Sequence, residues 1–152
     1  MNRRLCALLL IALPACSSGP RVPKGDPAAS VPSAATQAAR DKFEDIIDVM
    51  DLMDETLDPL FHGTWSADLM ARKKLAHEAQ MLTHGFAMLQ TSIRPKNVEA
   101  DFDGFAQDTG AFMKKLAAAA DQDNAAVKAL FADPRSVGKH YCGRCHQKYR
   151  ED

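Results

Sequence analysis

The chain has 152 residues, room for one ordinary domain with a real core. Its 19 Lys and Arg residues nearly balance 20 Asp and Glu, so the dense basic footprint of a nucleic-acid binder is excluded.

The first residues, MNRRLCALLLIALPAC, read as an address rather than as fold. Arg3 and Arg4 make a basic start, and a short apolar run from Leu5 to Leu13 gives way to small residues. That run is too short to span a bilayer and suits the core of a signal peptide. Leu13, Pro14, Ala15 and Cys16 resemble the lipobox of bacterial lipoproteins, in which the cysteine is lipidated and becomes the first mature residue. Pro14 is not the usual occupant of its position, and a plain secreted protein with a free Cys16 is the competing reading. In the lipoprotein reading residues 1–15 leave, and Ser17 at the second mature position points to a periplasm-facing anchor on the outer membrane of a Gram-negative bacterium. The lipid chains would hold it there by burying methylenes at about 0.8 kcal/mol each. The mature chain then carries 17 basic against 20 acidic residues, a net charge of −3. Each cysteine has an assignment: Cys6 leaves with the signal, Cys16 takes the lipid, and Cys142 and Cys145 share a motif. No pair remains for a structural disulfide, although an exported compartment would permit one.

Residues 16–37 are rich in Ser, Pro, Ala and Gly with almost no large apolar side chain. Such a stretch cannot bury enough surface to order itself and reads as a flexible tether with a reach of about 25 Å. Residues 38–152 read as one helical domain. In its first segment Phe43, Ile46, Ile47, Met50, Met53 and Leu57 recur at helical intervals, opposite an acidic face from Asp41 to Asp58. Asp58-Pro59 and the residues to Gly63 are expected to end it, because proline lacks a donor and biases its predecessor away from the helix.

A second segment from about Ser66 carries Leu75, Ala79, Leu82, Phe86, Leu89 and Ile93. Arg94 to Asn97 interrupts it, with Asn97 placed to cap the next helix. A third repeats the rhythm with Phe102, Phe105, Thr109, Phe112, Leu116 and Ala119, and Asp121 to Asn124 makes the next turn. A fourth runs from about Ala125 to Tyr149, kinked or restarted at Asp133-Pro134. Nothing reads as strand. Four helices of roughly 20–27 residues with short connections predict an all-α protein, an antiparallel four-helix bundle. His77 and His84 share a flank of the second segment with Met81 and Met88, which suits a partly solvated face better than a copper site.

Near the end, Cys142, Cys145 and His146 form C-x-x-C-H, the attachment signature of one covalent c-type haem. Cysteines at i and i+3 share a helix face, where each thiol can add to a haem vinyl group. The histidine at i+4 lies on that face and can reach the iron from the proximal side. A thioredoxin-like redox pair would need a βαβ context, and a zinc site would need a second ligand pair; neither is present in the sequence. Only Gln147 to Asp152 come after His146, so any second iron ligand is expected upstream.

The end-placed motif on a helical bundle is similar to the class II cytochromes c, the cytochrome c′ family and its low-spin relatives. The closing segment VGKHYCGRCHQKYR carries the likeness, with Val137-Gly138 before the motif and Tyr149-Arg150 after it, and FAQDTGAF (Phe105 to Phe112) resembles that family's third helix. The departures are Glu99 where a tryptophan often stands, the Asp133-Pro134 insertion, and the lone Trp65 in the first loop. The resemblance implies a distal residue on the first helix. Setting Pro59 on the proline that ends that helix places Met50 at the distal position, with Met53 one turn on as second choice. A thioether there would favour ferrous iron and raise the potential; plain core packing of Met50 is the alternative.

Two functions are expected. One is a single-electron carrier that is not an enzyme, with Lys139, Arg144, Lys148 and Arg150 as a docking surface for acidic periplasmic redox partners. The other is a five-coordinate protein binding NO or CO; a haem-free structural lipoprotein is a third, minor reading. In that family the first helix often builds a homodimer interface, against which the acidic row here argues.

Overall fold

The computed structural model describes residues 33–63 and 69–150. The expected signal peptide, Cys16, most of the expected tether and Trp65 lie outside the described residues. Within them every regular element is helical, none is a strand, and no helix is long and apolar enough to cross a membrane.

The expected first helix is two helices. α1 (Ala34–Lys42) begins inside the segment expected to be tether, where Ser33 accepts a hydrogen bond from the Thr36 amide at 3.2 Å and four alanines supply helix propensity. It stops at Phe43, whose backbone is extended and whose ring is buried. α2 (Ile46–Phe61) restarts on a capping box: the Asp45 carboxylate accepts from the Ile47 and Asp48 amides, while Asp48 accepts from the Asp45 amide. Pro59 does not stop α2. The helix runs two residues further and ends at His62 and Gly63, the latter at φ +65°. Burial of Leu60 offsets the amide that proline lacks so close to the helix end.

α3 (Leu69–Met88) and α4 (Ala100–Gln122) form the most extensive helix pair, with α1 and α2 also packed on α3. The expected stripe of α3 holds over Leu75, Ala79, Leu82, Phe86 and, just past its end, Leu89, all buried, while Ile93 lies in the turn beyond and is only partly buried. Asn97 is not a cap. It sits at φ +66°, a left-handed position that asparagine tolerates, and Glu99 takes the cap position of α4 without a side-chain bond. Asp123 alone makes the turn to α5 (Asn124–Leu130), accepting from the Ala126 amide at 2.8 Å. The chain breaks at Phe131 and restarts where expected: Asp133 caps α6 (Pro134–Val137) by accepting from the Ser136 amide at 3.2 Å. Helical backbone then continues through a π-helical turn (Gly138–Gly143) into α7 (Arg144–Tyr149). No residue of the π turn or of α7 is fully buried.

Two glycines decide how closely helices approach. A Cβ on Gly85 would stand 2.8 Å from the Phe43 ring and 3.2 Å from Val49, so only hydrogen fits where Phe43 plugs onto α3. Gly104 on α4 faces open space. The two Gly→Ala variants are therefore expected to move stability in opposite directions. Gly104→Ala should stabilise by about 0.5–1 kcal/mol through helix propensity. Gly85→Ala should cost about 1–3 kcal/mol through overpacking. Urea unfolding midpoints at constant slope measure both.

Candidate functional site

α2 presents two faces, where sequence reasoning expected a single stripe. Val49, Leu52, Thr56 and Leu60 are buried in the core, and the buried Thr56 hydroxyl is satisfied by donating to the Leu52 carbonyl at 2.7 Å. The neighbouring face, with Ile46, Ile47, Met50, Met53, Leu57 and Phe61, lines a groove of about 690 Å³. Ile47, expected in the core, is 62% exposed on its rim. The far wall carries Gly138, Cys142, Cys145, His146, Tyr149 and Arg150. α2 packs mainly on α3 and the C-terminal stretch mainly on α4, and the two walls face one another across the groove. The volume falls within the roughly 300–1,000 Å³ typical of ligand clefts.

Cys142, Cys145 and His146 thus share one wall, as expected of their i, i+3, i+4 spacing, and Met50 and Met53 stand in the same groove. All five also line a deeper apolar recess of about 20 Å³ bounded by Phe86, Phe105, Ala106 and Thr109. That recess is about large enough for one molecule the size of water.

Aromatic rings hold both ends of the motif. Tyr141, one residue before Cys142, stacks on Phe112 with ring centroids 4.4 Å apart, and Phe112 leads through Phe131 to Phe61 edge to face. The Thr109 hydroxyl donates to the Tyr141 carbonyl at 3.4 Å, beside the π turn. Tyr149 lies edge-on to Phe102 at 5.3 Å and to Phe105 at 6.2 Å, and its hydroxyl donates to Asp101.

The electrostatics bear on what the cysteines can do. Burial pushes both thiols above the ordinary cysteine value, with Cys145 adding to the effect on Cys142 and Asp101 adding to that on Cys145. A reactive redox pair needs a thiolate, which a lowered value supplies, and here the shift runs the other way. Among the described residues no group of three or more His, Cys, Asp or Glu side chains could hold a metal ion by itself.

Sequence reasoning missed the acidic partners of the basic cluster. Lys148 Nζ lies 2.7 Å from both Glu99 and Asp101, and these bonds raise the Lys148 pKa well above the usual lysine value. Lys148, then Tyr149, hold Asp101 below the usual carboxylate range. Arg144 lies 3.9 Å from Asp108 and over the Phe105 ring. Of the four cations expected to form a docking surface, Lys148 and Arg144 therefore face acids of this chain, while Lys139 and Arg150 are exposed. His77 and His84 border a separate surface groove between α3 and α4 with Lys73 and Lys114, and His84 lies 3.4 Å from the Thr36 hydroxyl.

No family model matches the chain, and no curated protein or solved structure matches it. The residues of the groove are therefore the ground for its function.

Proposed function

We propose that the chain is a monohaem c-type cytochrome on a four-helix bundle, an electron carrier facing the periplasm. α2, α3, α4 and the broken helix from Asn124 to Tyr149 would be the four members, with α1 an added short N-terminal helix. One observation carries the reading. The C-x-x-C-H motif and two methionines from the other end of the domain line opposite walls of one mainly apolar groove, with Asp51, Asp54 and Arg150 also on it.

The residues fit the group. Protonated thiols suit Cys142 and Cys145, because each S–H would add across a vinyl C=C to leave one C–S and one C–H bond. His146 would give a neutral nitrogen from one wall and Met50 a thioether from the other, with Met53 next along the helix. Bound there, haem c would supply a one-electron ferric–ferrous couple. Ile46, Leu57 and Phe61 would exclude water from it, and the exposure of Ile47 would end. Lys139 and Arg150 remain as the cations for an acidic periplasmic partner. The N-terminal address would hold the domain to the outer membrane through lipid on Cys16.

The recess of about 20 Å³ beside Met50 favours a second reading, a five-coordinate protein that binds NO or CO. Protein made in a host that exports and attaches haem c distinguishes the readings. A pyridine haemochrome spectrum of haem c, a low-spin ferric spectrum and slow CO uptake are expected. Rapid CO binding from a high-spin state would replace the carrier with the gas binder. A chain carrying no haem c after such expression would overturn both.

A further inference from the structure

α7 is a helix with no fully buried residue, yet it carries two motif residues. Its rotation about its own axis decides where His146 points, because each residue advances about 100° around the helix. Arg144 and Lys148 are i, i+4 neighbours on one face, and His146, two residues from each, projects about 200° away from both. The acids that meet them stand on one face of α4, seven residues apart. Asp108, later in α4, takes the earlier Arg144, and Asp101, earlier in α4, takes the later Lys148. This reversed order sets α7 antiparallel to α4. Glu99 gives Lys148 a second carboxylate, and the Tyr149 hydroxyl gives Asp101 a second donor.

We propose that Asp101 and Asp108 are positioning residues: with Lys148, Tyr149 and Arg144 they form a two-point clamp that locks the rotation of α7 and keeps the His146 imidazole turned into the groove. Exposed ion pairs individually add little to global stability. The clamp acts locally, on an element that Tyr149 ties to Phe102 and Phe105 at its end but in which no side chain is fully buried. The inference rests on the haem reading only for what His146 would bind, and its test separates the two.

The full-length holoprotein is compared with Asp101→Ala, Asp101→Glu and Tyr149→Phe. In Asp101→Ala the backbone amides of Gln147 to Arg150 should exchange with solvent about tenfold faster, while those of Leu82 and Leu116 do not change. The ferric electron paramagnetic resonance g-values, which report imidazole orientation, should shift in the same variant. Asp101→Glu should restore part of both effects, and Tyr149→Phe should show a smaller version of them. Unchanged exchange in α7 would overturn the clamp. Faster exchange with unmoved g-values would show that it does not orient His146, and would also overturn the proposal. If the wild-type protein carries no haem c, the haem reading fails and the clamp is judged on the haem-free chain. There Asp101→Ala should speed both α7 exchange and the carbethoxylation of His146 by diethyl pyrocarbonate, and unchanged rates would overturn it.

Discussion

The variant Cys142→Ala/Cys145→Ala is expected to purify without covalent haem, and His146→Ala to keep the group while losing its low-spin spectrum. The double variant removes both thiols on the groove wall, so no S–H remains to form a thioether. In His146→Ala both thiols persist and only the nitrogen is lost. Haem that survives acid–acetone extraction measures the first effect, and the ferric visible spectrum measures the second. The double variant should also be less stable. With the groove empty, Ile47 is exposed and Ile46, Met50 and Phe61 are partly so, and covering a large apolar side chain contributes about 1.5–3 kcal/mol. Leaving even two of them uncovered should lower the melting temperature by on the order of 10 °C in a domain of this size. Equal haem content in wild type and double variant would rule out attachment at these cysteines.

The second large effect separates two methionines one turn apart. Met50 is half-buried at the groove, whereas Met53 is 8% exposed and belongs to the core as well. Met50→Ala should convert the ferric spectrum from low to high spin, lower the midpoint potential through loss of the thioether, and speed CO binding. Met53→Ala should leave the spectrum alone and cost about 2–5 kcal/mol of stability through the cavity it opens. The opposite pattern would assign the iron to Met53. An unchanged spectrum in both would make these residues packing and leave the sixth position to solvent or gas.

Much of this fold was legible because helix periodicity is a repeating signal. The α3 run from Leu75 to Phe86 is a core stripe, as is the α4 run from Phe102 to Ala119 except for the partly exposed Phe105, and Asp133-Pro134 restarts the last helix as proline chemistry requires. What was not legible depended on neighbours. Phe43 fits the helical spacing of its segment, yet it leaves the helix to fill the space that Gly85 provides on α3. The capping pair Asp45 and Asp48 did signal the restart, but it lay hidden in a run of acids. Ile47 and Met50 look like core from spacing alone, since periodicity gives a face and not what covers it.

The motif was readable in one dimension, because its spacing is itself the geometry. Its setting was not. The π turn before Arg144 leaves no compositional mark beyond Gly138 and Gly143. The acids that meet Lys148 and Arg144 come from another helix, so the cluster read as a free docking surface. Charge on a sequence is counted without its partners, and here two of four expected docking cations answer to Asp101, Glu99 and Asp108.

Because no side chain of α7 is fully buried, an occupant of the groove would help order the end of the fold. For a dissociable ligand such support would track its free concentration and vanish on dilution. A group joined to Cys142 and Cys145, as proposed, could not diffuse away, so its contact with α2 would be an intramolecular event at fixed effective concentration. The C-terminal helix of a loaded chain would therefore be as well ordered in a dilute compartment as in a concentrated one. An unloaded chain would present the same helix as its first site of fraying and proteolysis.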